Sequence, residues 1–483
     1  LKKIILSLHK KQKDMITFLV CLAVLVIGYF LYGKYVERVF KPDYNRKTPA
    51  IAMQDGVDYI PMPTWKILMI QFLNIAGLGP IFGAIMGAKF GPASYLWIVF
   101  GSIFAGAVHD YFSGMLSMRN QGASLPELIG KYLGNGAKQT MRVFTVLLMV
   151  LVGAVFVSGP AGLLAKLTPD ALDITFWAIV VFLYYILATL LPVDKIIGKI
   201  YPIFAIAILF MALGMLVMLI VKSPVLPEIT SFSSLKNTSP EGNPIFPMMF
   251  VSIACGAISG FHATQSPMMA RCLKTEKHGR PVFYGAMIIE GIVALIWAAV
   301  ASAFFYENGM EENNAAVIVD SVTKEWLGIA GAFLALLGVI FAPITSGDTA
   351  FRSARLIVAD FLKMDQKKIS KRLLISIPLF IASFLILQIN FDILWRYFAW
   401  CNQTLAVFTL WAITIYLTKE KRNYLITLIP ALFMTMVCVS YIFIAPEGLS
   451  LNPTISYIVG GVATIISLIL YIIRNKNSNF AKD

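Results

Sequence analysis

The chain has 483 residues, 58% of them hydrophobic and only 14% charged, with a formal net charge of +14 and a mean hydropathy of +0.77. Soluble globular proteins carry about 25% charged residues, so this composition excludes water as the main solvent and indicates a polytopic helical membrane protein. The basic residues fall in short loops between apolar runs, which excludes a nucleic-acid-binding module and assigns them to membrane orientation and anionic lipid headgroups.

Thirteen spans are expected in chain order, each near the roughly 20 apolar residues that cross the hydrocarbon core as a helix. They are 14–33, 66–88, 93–118, 140–165, 172–191, 200–222, 245–270, 282–306, 326–351, 372–390, 394–417, 423–445 and 454–473. The first follows the basic stretch "KKIILSLHKKQKD" and is read as a retained transmembrane helix, because no small-x-small cleavage site follows it. The longest connections are 34–65, 223–244 and 307–325. Cys21, Cys255, Cys272, Cys401 and Cys438 form no CxxC pair and read as small apolar residues.

Loop charges alternate. "RNQGASLPELIGKYLGNGAKQTMR", "RCLKTEKHGR", "RSARLIVADFLKMDQKKISKR" and "KEKR" are basic, whereas 223–244, 307–325 and 446–453 are poor in Lys and Arg. The basic set is therefore assigned to the cytoplasm, together with the C-terminus. Thirteen spans then put the N-terminus outside, against the five lysines ahead of the first span.

Two spans are weak as helices. "NIAGLGPIFG" (74–83) holds three glycines and a proline, and "ACGAISGFHATQSP" (254–267) repeats the pattern five spans later. Asn74 to Gly79 are expected to be unwound with Pro80 opening a second half-helix; Gly256 to Pro267 form the matching break, with Pro267 in the corresponding role. Glycine- and proline-interrupted spans at matching positions of two halves mark an inverted-repeat transporter whose site lies at the breaks. The alternative is close helix packing through small residues.

The motifs "GPIFGAIMGAKFGPASYLWIVFGSIFAGAVHDYFSGMLSMRNQGASLPEL", "ACGAISGFHATQSP", "GAMIIEGIVALIWA", "TSGDTAFRSARLIVAD" and "CNQTLA" resemble the carbon-starvation (CstA) peptide transporter family, over about residues 60–410. The resemblance implies a short bacterial member without the extra C-terminal spans of longer relatives, acting in the cytoplasmic membrane. It also implies uptake of peptides or of small organic acids such as pyruvate, and membership of the amino acid–polyamine–organocation superfamily. The fold so implied is all-α, with a leucine-transporter-like five-plus-five inverted repeat and broken first and sixth core helices. The layout becomes an N-terminal extra helix and loop (1–65), two five-helix repeats (66–222 and 245–417), and two C-terminal helices with a tail (423–483).

Ionisable groups at membrane depth are functional candidates by default. His109 and Asp110 lie in the third span, their side chains about 100° apart on a helix. His262 falls in the second break, where it can take a coupling proton, hold a carboxylate or cap carbonyls. Glu290 is flanked by apolar residues and needs a partner, for which His262, His109 or a substrate ammonium group is suitable. Thr345, Ser346 and Asp348 follow "API" near the place where, by analogy with the implied fold, hydroxyls hold a sodium ion against the first broken helix; hydroxyls also bond helix carbonyls harmlessly. Substrate contacts are expected from Asn74, Ala76, Gly77, Gly79, Ser259, Gly260, His262, Gln265, Glu290 and Asn402. Asn402, with Gln403, is better suited to bonding between helices than to lining the cavity, and Arg352 and Arg355 are read as marking the cytoplasmic face.

The leading expectation is secondary active import of short peptides or small organic acids by alternating access, with proton or sodium coupling. The rival is a divalent metal-ion transporter or metal-regulated channel using His109, Asp110, His262 and Glu290. An enzyme is disfavoured, because HExxH and GxSxG are absent, and GxxxxGK[ST] is absent too. Beyond H+, Na+ or a bound divalent metal no cofactor is expected. The partners are a small-molecule or peptide substrate and membrane lipid, and the oligomeric state is not read from helices.

Overall fold

A computed structural model describes residues 15–190, 197–240, 242–311, 314–366 and 368–480. Every regular element among these residues is helical. The principal helices are α1 (Ile16–Phe40), α2 (Thr64–Ile75), α3 (Gly79–Ala88), α4 (Ala93–Arg119), α5 (Leu125–Leu133), α6 (Asn135–Leu167), α7 (Ile174–Leu190) and α8 (Ile197–Lys222). They continue as α9 (245–253), α10 (Gly260–Ala270), α11 (Gly285–Asn308), α12 (Ala315–Leu334), α13 (Ala342–Leu362), α14 (Ile369–Ile386), α15 (Phe391–Lys419), α16 (Leu425–Ile444) and α17 (Pro453–Phe480).

Ten helices among the described residues are long and apolar enough to cross a membrane, or twelve when each of two bent pairs counts as one span. The expected span 172–191 is α7, an apolar helix of 17 residues. Apolar character all round a helix means burial in protein or contact with lipid, and packing decides which. An apolar stretch of 18 residues within Glu276–Asn308 has 83% of its residues buried and runs through the centre, whereas that within Pro453–Lys476 has 17% buried and lies at the periphery.

The first broken span bends by 52° between α2 and α3. Asn74 and Ile75 still belong to α2, so the unwound stretch is Ala76–Leu78 rather than 74–79. Pro80 stands at the start of α3 as expected, where its missing N–H is not needed. In the second broken span α9 ends at Ile253, Ala254 turns to φ 37°, and α10 starts at Gly260. Pro267 is therefore inside the second half-helix and does not open it. The start is set by an acceptor from another helix, the Asn402 side chain on α15, which receives the Phe261 N–H.

The two broken spans run antiparallel. Met62 N donates to Cys272 O (3.2 Å), Gln71 Nε2 to Ser266 Oγ (3.4 Å), and further along Gly79 and Gly83 abut Cys255 and Ile253. A methyl group on Gly83 would stand 2.6 Å from the Ile253 carbonyl oxygen, so only glycine lets the backbones approach this closely.

The expected ninth span, 326–351, is redrawn. Residues 315–334 form a helix of their own, kinked at Gly328, and a 52° bend separates it from the helix Leu337–Leu362. Apolar residues continue without interruption across the bend, so hydropathy alone carries no sign of the change in direction.

The ends of α1 settle its direction relative to the loops. Thr17 N donates to Glu228 Oε2 (2.9 Å) and Ile229 N to Thr17 Oγ1 (2.9 Å), which joins its start to the lysine-poor loop 223–244. Its end meets the basic loops: Arg119 Nη2 donates to Lys41 O (2.8 Å) and the Arg119 guanidinium lies over the Phe40 ring. Arg474 Nη1 donates to Leu133 O (3.1 Å), so the end of α17 is on the basic face as well. This is the arrangement that thirteen crossings require. The five lysines of residues 1–14 lie outside the described residues.

Candidate functional site

Three helices bring four ionisable side chains to one place with none of them exposed. His109 and Asp110 come from α4, His262 from the first turn of α10, and Glu290 from α11. His109 Nδ1 lies 2.8 Å from Asp110 Oδ1, and His262 Nδ1 lies 2.9 Å from Asp110 Oδ2. His262 Nε2 faces Glu290 Oε2 at 3.5 Å, an ion-pair distance without hydrogen-bond geometry. The groups form a chain, His109–Asp110–His262–Glu290, in which each donor meets its neighbour. They do not converge on one point, and among the described residues no group of three or more His, Cys, Asp or Glu side chains is placed to hold a metal ion.

The proton count along this chain is informative. An ionised Asp110 only accepts, so each imidazole is assigned a proton on Nδ1. A neutral His262 then presents a lone pair at Nε2 to a carboxylate oxygen, which is repulsive. The contact becomes favourable when one further proton resides on Nε2 or on Glu290. The pair can therefore hold one proton closed off from water.

Thr345, Ser346 and Asp348 make a second group, on α13. Ser346 Oγ donates to the Leu73 carbonyl of the first broken span (3.1 Å), and Thr345 Oγ1 donates to Ala342 O (2.7 Å). The Tyr201 hydroxyl lies 2.7 Å from Asp348 Oδ2 and 3.0 Å from the Thr345 carbonyl oxygen. Gly77, in the unwound stretch, faces Ser346 Oγ and the Phe156 ring. Ala76 is buried beside it, and Gly79 is pressed against Cys255.

Polar side chains from neighbouring helices satisfy the second break. Asn402 Oδ1 accepts from Ser259 Oγ (3.0 Å) and Phe261 N (2.6 Å), and its Nδ2 points at Cys255 Sγ (3.2 Å). Gln403 Nε2 donates to Ile258 O and Ser102 Oγ to Gly256 O, both at 3.0 Å. Asn402 and Ser259 are thus engaged in holding the break open. Gly260 is wedged against α15, where a methyl group would meet Ala406 N and Asn402 O at 2.5 Å. Asn74 is different: it is fully buried on α2, and neither its amide oxygen nor its amide nitrogen has a protein partner. Gln71 Oε1 and Gln265 Oε1 share that property. A buried amide atom without a hydrogen-bond partner is costly at membrane depth.

A cavity of about 620 Å³ opens on the lysine-poor face, walled by Phe82, Ser158, Gly159, Asp170, Asp173 and Phe391. A smaller one of about 250 Å³ shares Phe82, Asn314 and Phe391 and adds Lys89, Trp395 and Arg396. Neither is lined by the His–acid chain. On the basic face Asp58 Oδ1 lies 3.4 Å from Arg352 Nη1 and 3.6 Å from Arg355 Nη2. Both arginines stand at the basic face and are buried there. Sequence reading did not single out Tyr201, Gln71, Ser102 or Asp58. Tyr201 lies in an otherwise apolar run and Asp58 in a connecting segment, so their roles depend on contacts with residues 147 and 294 positions away.

The family model described as carbon starvation protein CstA matches residues 13–172, 169–326 and 314–441. The chain belongs to this family. An uncharacterized membrane protein of Haemophilus influenzae is 46% identical over 62% of the chain and 93% of its own length. Peptide transporter CstA of Campylobacter jejuni is 32% identical over 60% of the chain and 50% of its own length. The pyruvate/proton symporter BtsT of Escherichia coli is 28% identical over 60% of the chain and 48% of its own length. The chain therefore spans about half the length of these two named transporters. Among solved structures, a manganese transporter of Eremococcus coleocola shares the fold, with a TM-score of 0.55 at 14% identity over 88% of the chain and 99% of that protein. The CstA-family chain is a membrane transporter and not an enzyme.

Proposed function

We propose that this CstA-family protein is a secondary active importer of short peptides or small organic acids such as pyruvate, working by alternating access and coupled to protons. The one-proton pair His262–Glu290, fully buried and 3.5 Å apart, carries the reading. A coupling proton must be held away from water, and the burial of this pair meets that requirement. The Thr345 and Ser346 hydroxyls donate to carbonyls and keep their lone pairs, so the choice of the proton over sodium rests on the buried His262–Glu290 pair. Antiparallel pairing of the broken spans supports a five-plus-five inverted repeat, with α2–α8 and α9–α15 as its halves. Asn74, Gln71 and Gln265 are assigned to the polar part of the solute.

The test is uptake of labelled pyruvate and dialanine into proteoliposomes under an imposed proton or sodium gradient. Accumulation driven by an inward proton gradient supports the reading. Uptake that ignores the proton gradient, or that only sodium drives, removes it.

A further inference from the structure

Along α13, Thr345, Asp348, Arg352 and Arg355 follow at spacings of three, four and three, so they stand on one stripe of the helix. The first two belong to the Tyr201 group beside the first break; the last two end at the basic face. Arg355 is 1% exposed, and none of its three guanidinium nitrogens donates to a protein acceptor. Its opposite charge is Asp58 Oδ1 at 3.6 Å, the same oxygen that faces Arg352 Nη1 at 3.4 Å. Arg352 also donates to the Ala188 carbonyl (3.2 Å). Arg271 is buried nearby with its Nε on Gly122 O, and Arg372 with its Nε on Gln366 O, both at 2.9 Å. Burial alone would raise the Asp58 carboxyl, but Arg355, Arg352, Arg271 and Arg372 outweigh it and hold the group below the ordinary carboxylate range. Four buried guanidinium groups thus surround one carboxylate, and Arg355, none of whose nitrogens donates to a protein acceptor, ends the stripe.

We infer that Arg355 is the binding group of a carboxylate site on the exit side, where Asp58 is the resident occupant and an incoming carboxylate competes for the guanidinium. The planar fork of an arginine matches a carboxylate with two parallel hydrogen bonds. A buried guanidinium whose donors are unmet is strained electrostatically and gains from that match. The terminal carboxylate of a peptide and that of a small organic acid offer the same group, as does any free acid on the basic-loop side. Asp58 lies six residues ahead of α2, so its displacement unties the segment leading into the first broken span from α13. The inference rests on the transporter reading only for where the carboxylate comes from.

The binding test uses the full chain purified in detergent, with acetate as probe and chloride at equal ionic strength as control. Asp58→Asn lowers the unfolding temperature, acetate restores it and chloride does not. Apparent acetate affinity rises at least about tenfold over wild type, as expected when a competing charged hydrogen-bond partner is removed. The double variant Asp58→Asn with Arg355→Gln is not rescued. Equal effects of acetate and chloride, or rescue that persists in the double variant, overturn the site. If Asp58→Asn does not survive purification, wild type against Arg355→Gln decides, and equal stabilisation by acetate in both overturns it. Tracer exchange of pyruvate in vesicles separates the sources. Exchange slowed about tenfold by Arg355→Gln whatever the internal acetate, a loss the size of one charged hydrogen bond, assigns the site to the solute. Exchange that internal acetate alters in wild type alone assigns it to a free acid. Exchange indifferent to both overturns the role in passage. Acetate binding through Arg355 without uptake of any solute leaves the site standing and removes the transporter reading instead.

Discussion

His262 Nδ1 lies 2.9 Å from Asp110 Oδ2, joining the second broken span to α4 across 152 positions of sequence. Because Asp110 also accepts from His109, each of its oxygens holds a hydrogen bond, and the opposite face of His262 is left to Glu290.

That arrangement makes Glu290 and His262 separable by function. Glu290→Gln removes the proton site but keeps the shape, so proton-driven accumulation is lost while tracer exchange at equal concentrations survives. His262→Ala also breaks the contact to Asp110, and both activities fall together. Accumulation at the wild-type rate in Glu290→Gln takes the pair out of the mechanism.

Asn402 holds the second break through its side-chain oxygen. Asn402→Ala leaves the Phe261 N–H without an acceptor in a buried place, a cost of about 1–3 kcal/mol. The unfolding temperature in detergent is expected to drop, and Asn402→Asp, which keeps an acceptor, should recover part of it. An unchanged unfolding temperature in Asn402→Ala contradicts the capping role.

Gly83→Ala places a methyl group 2.6 Å from a backbone oxygen, which cannot rotate away as a side chain can. The broken spans must separate, and overpacking of this kind costs about 1–3 kcal/mol or more. Low yield of folded protein is expected for Gly83→Ala. Gly162→Ala, where nothing stands within 4 Å, should behave like wild type in the same expression and size-exclusion assay.

Acid stability carries the signature of Asp58. Its carboxyl is lowered in the folded state by the surrounding arginines despite burial. A depressed pKa contributes stability above the unfolded value, about 3.9 for aspartate, and that stability is lost as pH falls towards the folded value. Wild type should therefore lose more unfolding temperature than Asp58→Asn as pH drops below about 4. Parallel curves for the two proteins would show that Asp58 does not sense the arginines.

Much of this protein was determined by the sequence alone. Low charge and long apolar runs dictate membrane helices, because lipid cannot satisfy polar groups. Loop basicity sorted the connections, and the start of α1 falls with the lysine-poor loops despite the lysines that precede it. Pro80 marked its half-helix, since the missing N–H matters only inside a helix. The glycines around both breaks signalled weak helix, and His109, Asp110, His262 and Glu290 were conspicuous as ionisable residues in apolar surroundings.

Tertiary structure decided the rest. Whether α10 begins at Gly260 or at Pro267 depends on where an acceptor from α15 reaches the backbone, and no local propensity encodes that distance. The order of the His–acid chain depends on which of Asp110's two oxygens faces which helix. Asn402 was polar in lipid by sequence; only its contacts assign it to the backbone of the break, while Asn74 keeps its amide unspent. Asp58 and Arg355 lie 297 positions apart, one in an unremarked loop and the other within α13. Charges that far apart in sequence become partners only when folding removes the water between them, because burial and distance set the strength of their attraction.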